Sequence, residues 1–468
     1  MAARRLDSRA RNELLQELIT ESGCSNVGLA RRVNLEGSRR GLDLRYDKTS
    51  VSRWLRGQRP RGQTPLIIAE VLGQKLGRRV SVEEIGMTAA EHQDVPQVGL
   101  TFAPTLAAAV EEATGLWRTD AAGRRLPSAP RLAISTLLEP SRDWLIAEPE
   151  SGTAHEGTRV VTSADIETTT QVTRSIADLD HRFGSGDVRP LAVHYLDAVV
   201  SAQLRGGYGS GVGRQLCGAA ARLSELAGYM AVDSGKPALA HRYYIQALRL
   251  AHAADDRGFG GYVLAAGLGR LAAELGHPRE VAQLARAARE GSRDRIGGAV
   301  RSCLLAAEAR GYALLGDARQ CDLAMARAEE SLEQAEPDQE PLWIRHFGPG
   351  YLADDFAHCH LDLGRPQEAA RCAEQALAAH PEHLVRRRAV GLFLLATAHV
   401  AAGTLDEGCA LASEAAALSA GLRSAIVREH MEVFRSRLGP RAEEPAVRDF
   451  EARLRELSPA TPGVPGPR

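Results

Sequence analysis

Residues 47–57 read Asp47-Lys48-Thr49-Ser50-Val51-Ser52-Arg53-Trp54-Leu55-Arg56-Gly57, the pattern of a short helix with an apolar back and a polar front. Asp47 is a residue type that caps a first turn by accepting amide hydrogen bonds. Val51 and Trp54, with Leu55, recur at three- to four-residue spacing and predict a face turned to a core. Lys48, Thr49, Ser52 and Arg53 point outward, and Gly57 is the residue type on which helices stop. A polar helix face is usually solvated surface; the competing reading, a face that reads DNA, depends on what surrounds it.

Upstream, Ser25-Asn26-Val27-Gly28-Leu29-Ala30-Arg31-Arg32-Val33 predicts a second short helix, with Leu29 and Val33 as an apolar i, i+4 pair and Ala30 small enough for two helices to cross closely. An amphipathic helix precedes it within Arg4 to Ser22 (Leu14, Leu15, Leu18, Ile19). Another follows from Pro65 to Leu76 (Leu66, Ile67, Ala69, Val71, Leu72). Four helices around one small core make a minimal domain. Residues 1–87 hold 17 Lys+Arg against 10 Asp+Glu, a net of +7, in a chain whose total is -1. A basic head on an acidic body is the footprint expected of a polyanion-binding module. Arg supplies 55 of the 58 basic residues, a skew that a GC-rich genome explains as readily as function.

The Leu29-Ala30 pair and the Ser/Thr-rich third helix ending in Gly57 resemble the bacterial helix-turn-helix family of the phage-repressor and xenobiotic-response-element type, over roughly the first sixth of the chain. With SGCSNVGLARRVN before, SVSRWLRGQRPRG within and GRRVSVEEIGM after, the longer pattern resembles a narrower group of such regulators. These carry tetratricopeptide-like tails and include negative regulators of sporulation and antibiotic production in filamentous bacteria. The resemblance implies sequence-specific binding of double-stranded DNA by a homodimeric repressor of developmental or secondary-metabolite genes. Carried over by counting back from Gly57, the base-reading positions are Lys48, Thr49 and Arg53, with Ser50 and Ser52 as polar support. Phosphate falls to Asn26, Arg39, Arg40, Arg45, Arg56, Arg59 and Arg61. One departure stands out: the family joins helices two and three by a tight turn, whereas here residues 34–46 intervene. The insert is either a longer second helix with a basic wing that grips phosphate or an exposed loop.

Beyond Met87 the reading is of a linker, 88–160, with one helix near Ala103 to Trp117 and partly mobile segments rich in Pro, Gly and Ser. A helix follows from Ser163 to about Phe183 and another from Arg189 to Leu204. From there the chain repeats: a helix ending near Gly, a turn, then a helix with Ala-x6-Ala or part of it. The turn glycines Gly235, Gly276, Gly316, Gly364 and Gly403 are 41, 40, 48 and 39 residues apart, and Ala240, Ala247, Ala288, Ala328, Ala369, Ala376 and Ala415 follow them. This pattern resembles degenerate tetratricopeptide repeats, with Gly228, Tyr244 and Pro381 also matching, on helices or loops longer than usual. The expected architecture is all-α: a helix-turn-helix domain at 1–87, the linker, a tetratricopeptide-like helical solenoid at 161–457, and a disordered tail at 458–468.

A groove on such a stack suits dimerisation or a peptide, protein or small-molecule ligand. Enzymatic readings find no support, so no catalytic residue, metal or cofactor is expected. His358-Cys359-His360 lacks a second ligand pair, and adjacent helical residues splay about 100° apart, which favours packing and surface roles. The Gly-rich run at 206–213 lacks a following Lys-Ser/Thr and a preceding buried strand, and reads as a flexible helix connection. Seven scattered Cys without C-x-x-C spacing are expected as reduced thiols. With no apolar signal segment or membrane-length window, a soluble cytoplasmic protein is expected. The alternative function is a repeat-scaffold regulator of protein-protein interactions that does not bind DNA specifically.

Overall fold

The computed structural model describes residues 12–39, 44–58, 60, 64–76, 78, 80, 82, 84–87, 98–123, 134–150, 152–292 and 295–457, the side chains of residues 39, 66 and 440 excepted. Among them the chain is helical throughout, with two isolated β-bridges and no strand. No described helix is long and apolar enough to cross a membrane. The chain divides into two compact units, Met1–Pro96 and Gln97–Arg468. The expected tail at 458–468 lies outside the described residues.

The first unit contains α1 (Glu13–Glu21), α2 (Asn26–Arg39), α3 (Lys48–Leu55) and α4 (Thr64–Leu76). Each helix contributes its apolar positions to one core: Leu15, Leu18 and Ile19, then Leu29, Ala30 and Val33, then Val51 and Trp54, then Ile67, Ile68 and Leu72. Each large side chain fully buried there contributes about 1.5–3 kcal/mol. Asn12 closes the unit from its edge. Its Oδ1 accepts the Leu15 amide at 3.0 Å, capping α1, while its Nδ2 donates to the Ile85 carbonyl at 2.9 Å. Ile85 and Met87 thereby belong to this core, and Leu14, expected on the apolar face, is half exposed instead.

In the second unit the five turn glycines all adopt left-handed φ, from +69° at Gly364 to +97° at Gly403. That geometry costs an L-residue about 1–2 kcal/mol and glycine almost nothing. The turns join Ser210–Asp233 to Pro237–Ala253, Gly269–Glu274 to Pro278–Ser292, Gly298–Leu314 to Ala318–Glu333, Pro349–Asp362 to Pro366–Ala379, and Val385–Ala402 to Leu405–Ser419. All seven alanines singled out by the repeat are buried to 1% exposure or less, so helices approach across them. Ala425–Leu438 and Pro445–Leu457 cover the far end. Arg386 ties the body together across more than 150 residues of sequence. It donates to Asp180 at 2.6 Å and Asp233 at 3.1 Å and lies 4.8 Å over the Tyr229 ring, with all three charged groups buried.

Two expectations are corrected here. Residues 88–160 are not a linker with a single helix: their described residues, from 98 onward, belong to the second unit, with helices Leu106–Ala121 and Ile134–Ile146 whose Trp117 and Trp144 are fully buried. As a strap, residues 98–103 and Glu148 lie along the polar side of the helix Pro237–Ala253. Arg242 donates to the Val98 carbonyl, Gln246 to those of Gly99 and Thr101 at 3.0 Å each, Arg249 to Ala103 at 2.6 Å, and His252 meets Glu148 at 2.9 Å. Every residue of that helix from Ala240 onward is consequently buried.

The Gly-rich run at 206–213 is likewise a fitted connection. Tyr208 and His155 exchange backbone hydrogen bonds at 2.9 Å, and the Val161 amide donates to Gly207 at 3.0 Å. Cβ atoms at Gly206, Gly207 and Gly213 would stand under 3.0 Å from Val161, Gly157 and Thr153, so these three glycines serve close contact, whereas Gly209 and Gly211 have open space.

Candidate nucleic-acid interface

The entry to α3 is a closed capping box. The Ser50 amide donates to Asp47 Oδ1 at 2.8 Å, the Ser50 hydroxyl donates to the same oxygen at 2.8 Å, and the Asp47 amide returns a bond to Ser50 Oγ at 3.3 Å. The Ser50 hydroxyl and amide together hold the Asp47 carboxyl below its ordinary range. Behind the helix, Val51 and Trp54 are buried, and Tyr46 meets the Trp54 ring edge-on at 5.0 Å. The helix can therefore not rotate about its axis without exposing an indole.

On the outer side Lys48, Thr49 and Arg53 are exposed, with Arg56 one turn further on. Thr49 and Arg53 are four residues apart and stack on one stripe. The two serines behave differently. Both are half-buried, Ser50 is spent in the cap, and the Ser52 hydroxyl donates to the Lys48 carbonyl at 3.0 Å. Of the five expected base-reading side chains, three face outward and two are engaged within their own helix. Arg56 lies back along the helix, its Nε donating to the Ser52 carbonyl at 3.2 Å.

Of the insert, residues 34–39 extend the second helix, and 40–43 lie outside the described residues. α2 runs 14 residues to Arg39, and Leu44 to Tyr46 lead into α3. Asn34 Nδ2 donates to the Tyr46 carbonyl at 2.8 Å and the Tyr46 amide donates to Asn34 Oδ1 at 2.9 Å. Gly37 gives Leu44 its seat, since a Cβ there would collide with the leucine side chain. The Tyr46 hydroxyl lies 3.1 Å from Thr64 Oγ1 at the start of α4. The excursion is thus pinned at both ends, and α3 starts beside Asn34 as though the insert were absent.

The phosphate candidates fare unevenly. Asn26 opens α2, half-buried, next to Ser25, whose hydroxyl accepts the Gly28 amide at 3.1 Å. Arg45 and Arg56 are exposed. Arg39 ends α2 with its side chain undescribed, and Arg40, Arg59 and Arg61 lie outside the described residues. Sequence reasoning passed over Arg31 and Arg32, both exposed on α2 and without an ion pair among the described residues. Their signal was available: a basic pair immediately after the buried Leu29-Ala30 must fall on the outer face. Arg78, by contrast, is bonded to Glu84 at 2.8 Å, with Glu21 at 3.7 Å, and is neutralised within the unit.

Residues 15–88 match the SP15 N-terminal domain family, a stretch that spans the described core from Leu15 to Met87. No curated protein matches the chain.

Proposed function

We propose that the first unit is a helix-turn-helix domain that binds double-stranded DNA sequence-specifically, and that the protein is a transcriptional regulator. The observation that carries this reading is the two-faced α3. Its apolar side is locked by Val51, Trp54 and Tyr46, while Lys48, Thr49 and Arg53 are exposed on the other side. Rigid presentation matters because a base contact is directional, and one good bidentate pair discriminates by about 1–3 kcal/mol. Arg53 is the residue best suited to a guanine fork, and Lys48 and Thr49 flank it. Arg31, Arg32, Arg45 and Arg56 supply the exposed charge that holds phosphate.

An eight-residue recognition helix makes few base contacts, so the regulator works as a homodimer on two half-sites. The second unit we read as a tetratricopeptide-like solenoid that provides dimerisation, ligand sensing or both. Left-handed glycine turns between helix pairs and buried alanines at the crossings support that architecture. Repression of developmental or secondary-metabolite genes follows from the family resemblance alone. The test is selection of bound duplexes from a random pool by the full-length protein. Enrichment of a motif with two half-sites is the expected result; no motif at physiological salt would favour the interaction scaffold that does not read DNA.

A further inference from the structure

In the second unit, a cavity of about 470 Å³ opens between the helices Pro278–Ser292, Gly298–Leu314 and Ala318–Glu333. Its size is that of a small-molecule site. Three guanidinium groups line it, those of Arg289, Arg301 and Arg327, against one carboxylate, Glu330. Arg289 is already held by Glu308 at 3.3 Å and Glu290 at 3.2 Å. Arg301 and Arg327, both exposed, have no ion-pair partner among the described residues, so their charge is open to a ligand. Ser331 adds a hydroxyl that makes no hydrogen bond among the described residues, Gln334 adds an amide, and Leu305 and Ile296 form an apolar wall.

Arg301 and Arg310 are nine residues apart on one helix, which turns their side chains to opposite faces. Arg310 is bound to Asp362 of a later helix, so the cavity at Arg301 is separate from the face on which Arg310 is committed. The first turn of this helix also needs no anion, because Glu340 accepts the Ala299 amide at 2.9 Å. What attracts a ligand here is side-chain charge.

We propose that this cavity binds a small phosphorylated molecule, with Arg301 and Arg327 gripping the phosphoryl oxygens and the Leu305 wall taking an apolar part. A carboxylate has two oxygens and is satisfied by a single guanidinium fork; a phosphoryl dianion offers three and draws on two arginines plus the Ser331 hydroxyl. The site is independent of DNA reading, and the experiment is done without DNA.

Full-length protein is titrated calorimetrically with pyrophosphate and with inorganic phosphate at constant ionic strength, and with succinate as the carboxylate arm. Saturable binding of the phosphates, with succinate at least about tenfold weaker, is expected. Arg301→Gln and Arg327→Gln should each weaken pyrophosphate about tenfold, the loss of one charge-assisted contact. Arg319→Gln, on the same helix as Arg327 but outside the cavity, should leave it unchanged. If a glutamine variant is unfolded by melting, Gln334→Glu replaces it and should also abolish binding through repulsion. No saturable phosphate binding, equal affinity for succinate, or equal weakening by Arg319→Gln would each overturn the assignment.

Discussion

Asn34 and Tyr46 exchange two hydrogen bonds, amide to carbonyl at 2.8 Å and backbone N–H to side-chain oxygen at 2.9 Å, and so bring together the two ends of an excursion between α2 and α3. Asn34→Ala removes both. A loss of about 1–3 kcal/mol in the stability of the first unit is expected, measured by urea unfolding. Asn34→Asp should fall between, because it keeps the acceptor and loses the donor. DNA affinity should fall with Asn34→Ala even though the residue offers nothing to a base, since α3 loses its anchor.

Arg53→Ala should relax selectivity at one base position at a cost of about 1–3 kcal/mol, read by competition among single-base operator variants. Arg32→Ala should weaken all sequences alike and lower the salt slope by about one. Should Arg53→Ala also weaken every duplex equally, its role is phosphate contact.

Ser50→Ala separates the cap from the reading face. It should lower stability by about 0.5–1.5 kcal/mol, since the Ser50 amide still caps on Asp47, and leave base preference intact, because the hydroxyl is bonded to Asp47. A changed operator motif would return Ser50 to the reading set.

Arg386→Ala leaves Asp180 and Asp233 buried without their cation and should cost about 3–5 kcal/mol in the second unit, followed by thermal unfolding. Arg386→Met combined with Asp180→Asn and Asp233→Asn should recover much of that loss. If the single variant melts like the wild type, the network is not what joins these helices.

His241 is fully buried, bonded to the Thr136 carbonyl at 2.9 Å, and burial lowers its pKa from 6.5 to about 4. Its neutral form is the folded form. The associated stability is present above pH 6.5 and is lost as pH falls toward 4, about 2 kcal/mol between pH 7 and pH 5. His241→Gln should flatten that part of the stability profile in denaturant titrations; an unchanged slope would assign the acid sensitivity elsewhere.

What was readable in advance was whatever has a local period. Val51 with Trp54, Leu29 with Val33, and the glycines at 235, 276, 316, 364 and 403 announce themselves because spacing along the chain fixes face or turn. The strap was not readable. Arg242, Gln246 and Arg249 look like the solvated side of an amphipathic helix until the carbonyls of residues 98–103 arrive from more than 140 residues away. The insert was ambiguous for a similar reason, as one Asn-to-backbone clasp decides it. At the candidate interface, the exposure of Lys48, Thr49 and Arg53 was legible from helical phase, whereas the self-bonding of Ser50 and Ser52 depends on rotamers that no spacing encodes.

The strap is gripped by its peptide groups. A helix that recognises carbonyls is indifferent to a gripped side chain that faces solvent, so position 101 is free to vary, whereas Val98 packs on the core and Ala103 is buried at 1%. Gly99 is held for a different reason, because its φ of +79° and the nearness of Leu116 and Arg242 disfavour a side chain. Divergent relatives should therefore keep the arginines, the glutamine, the glycine and the packed side chains at 98 and 103 while position 101 drifts, a lineage signature written mainly in the receiver.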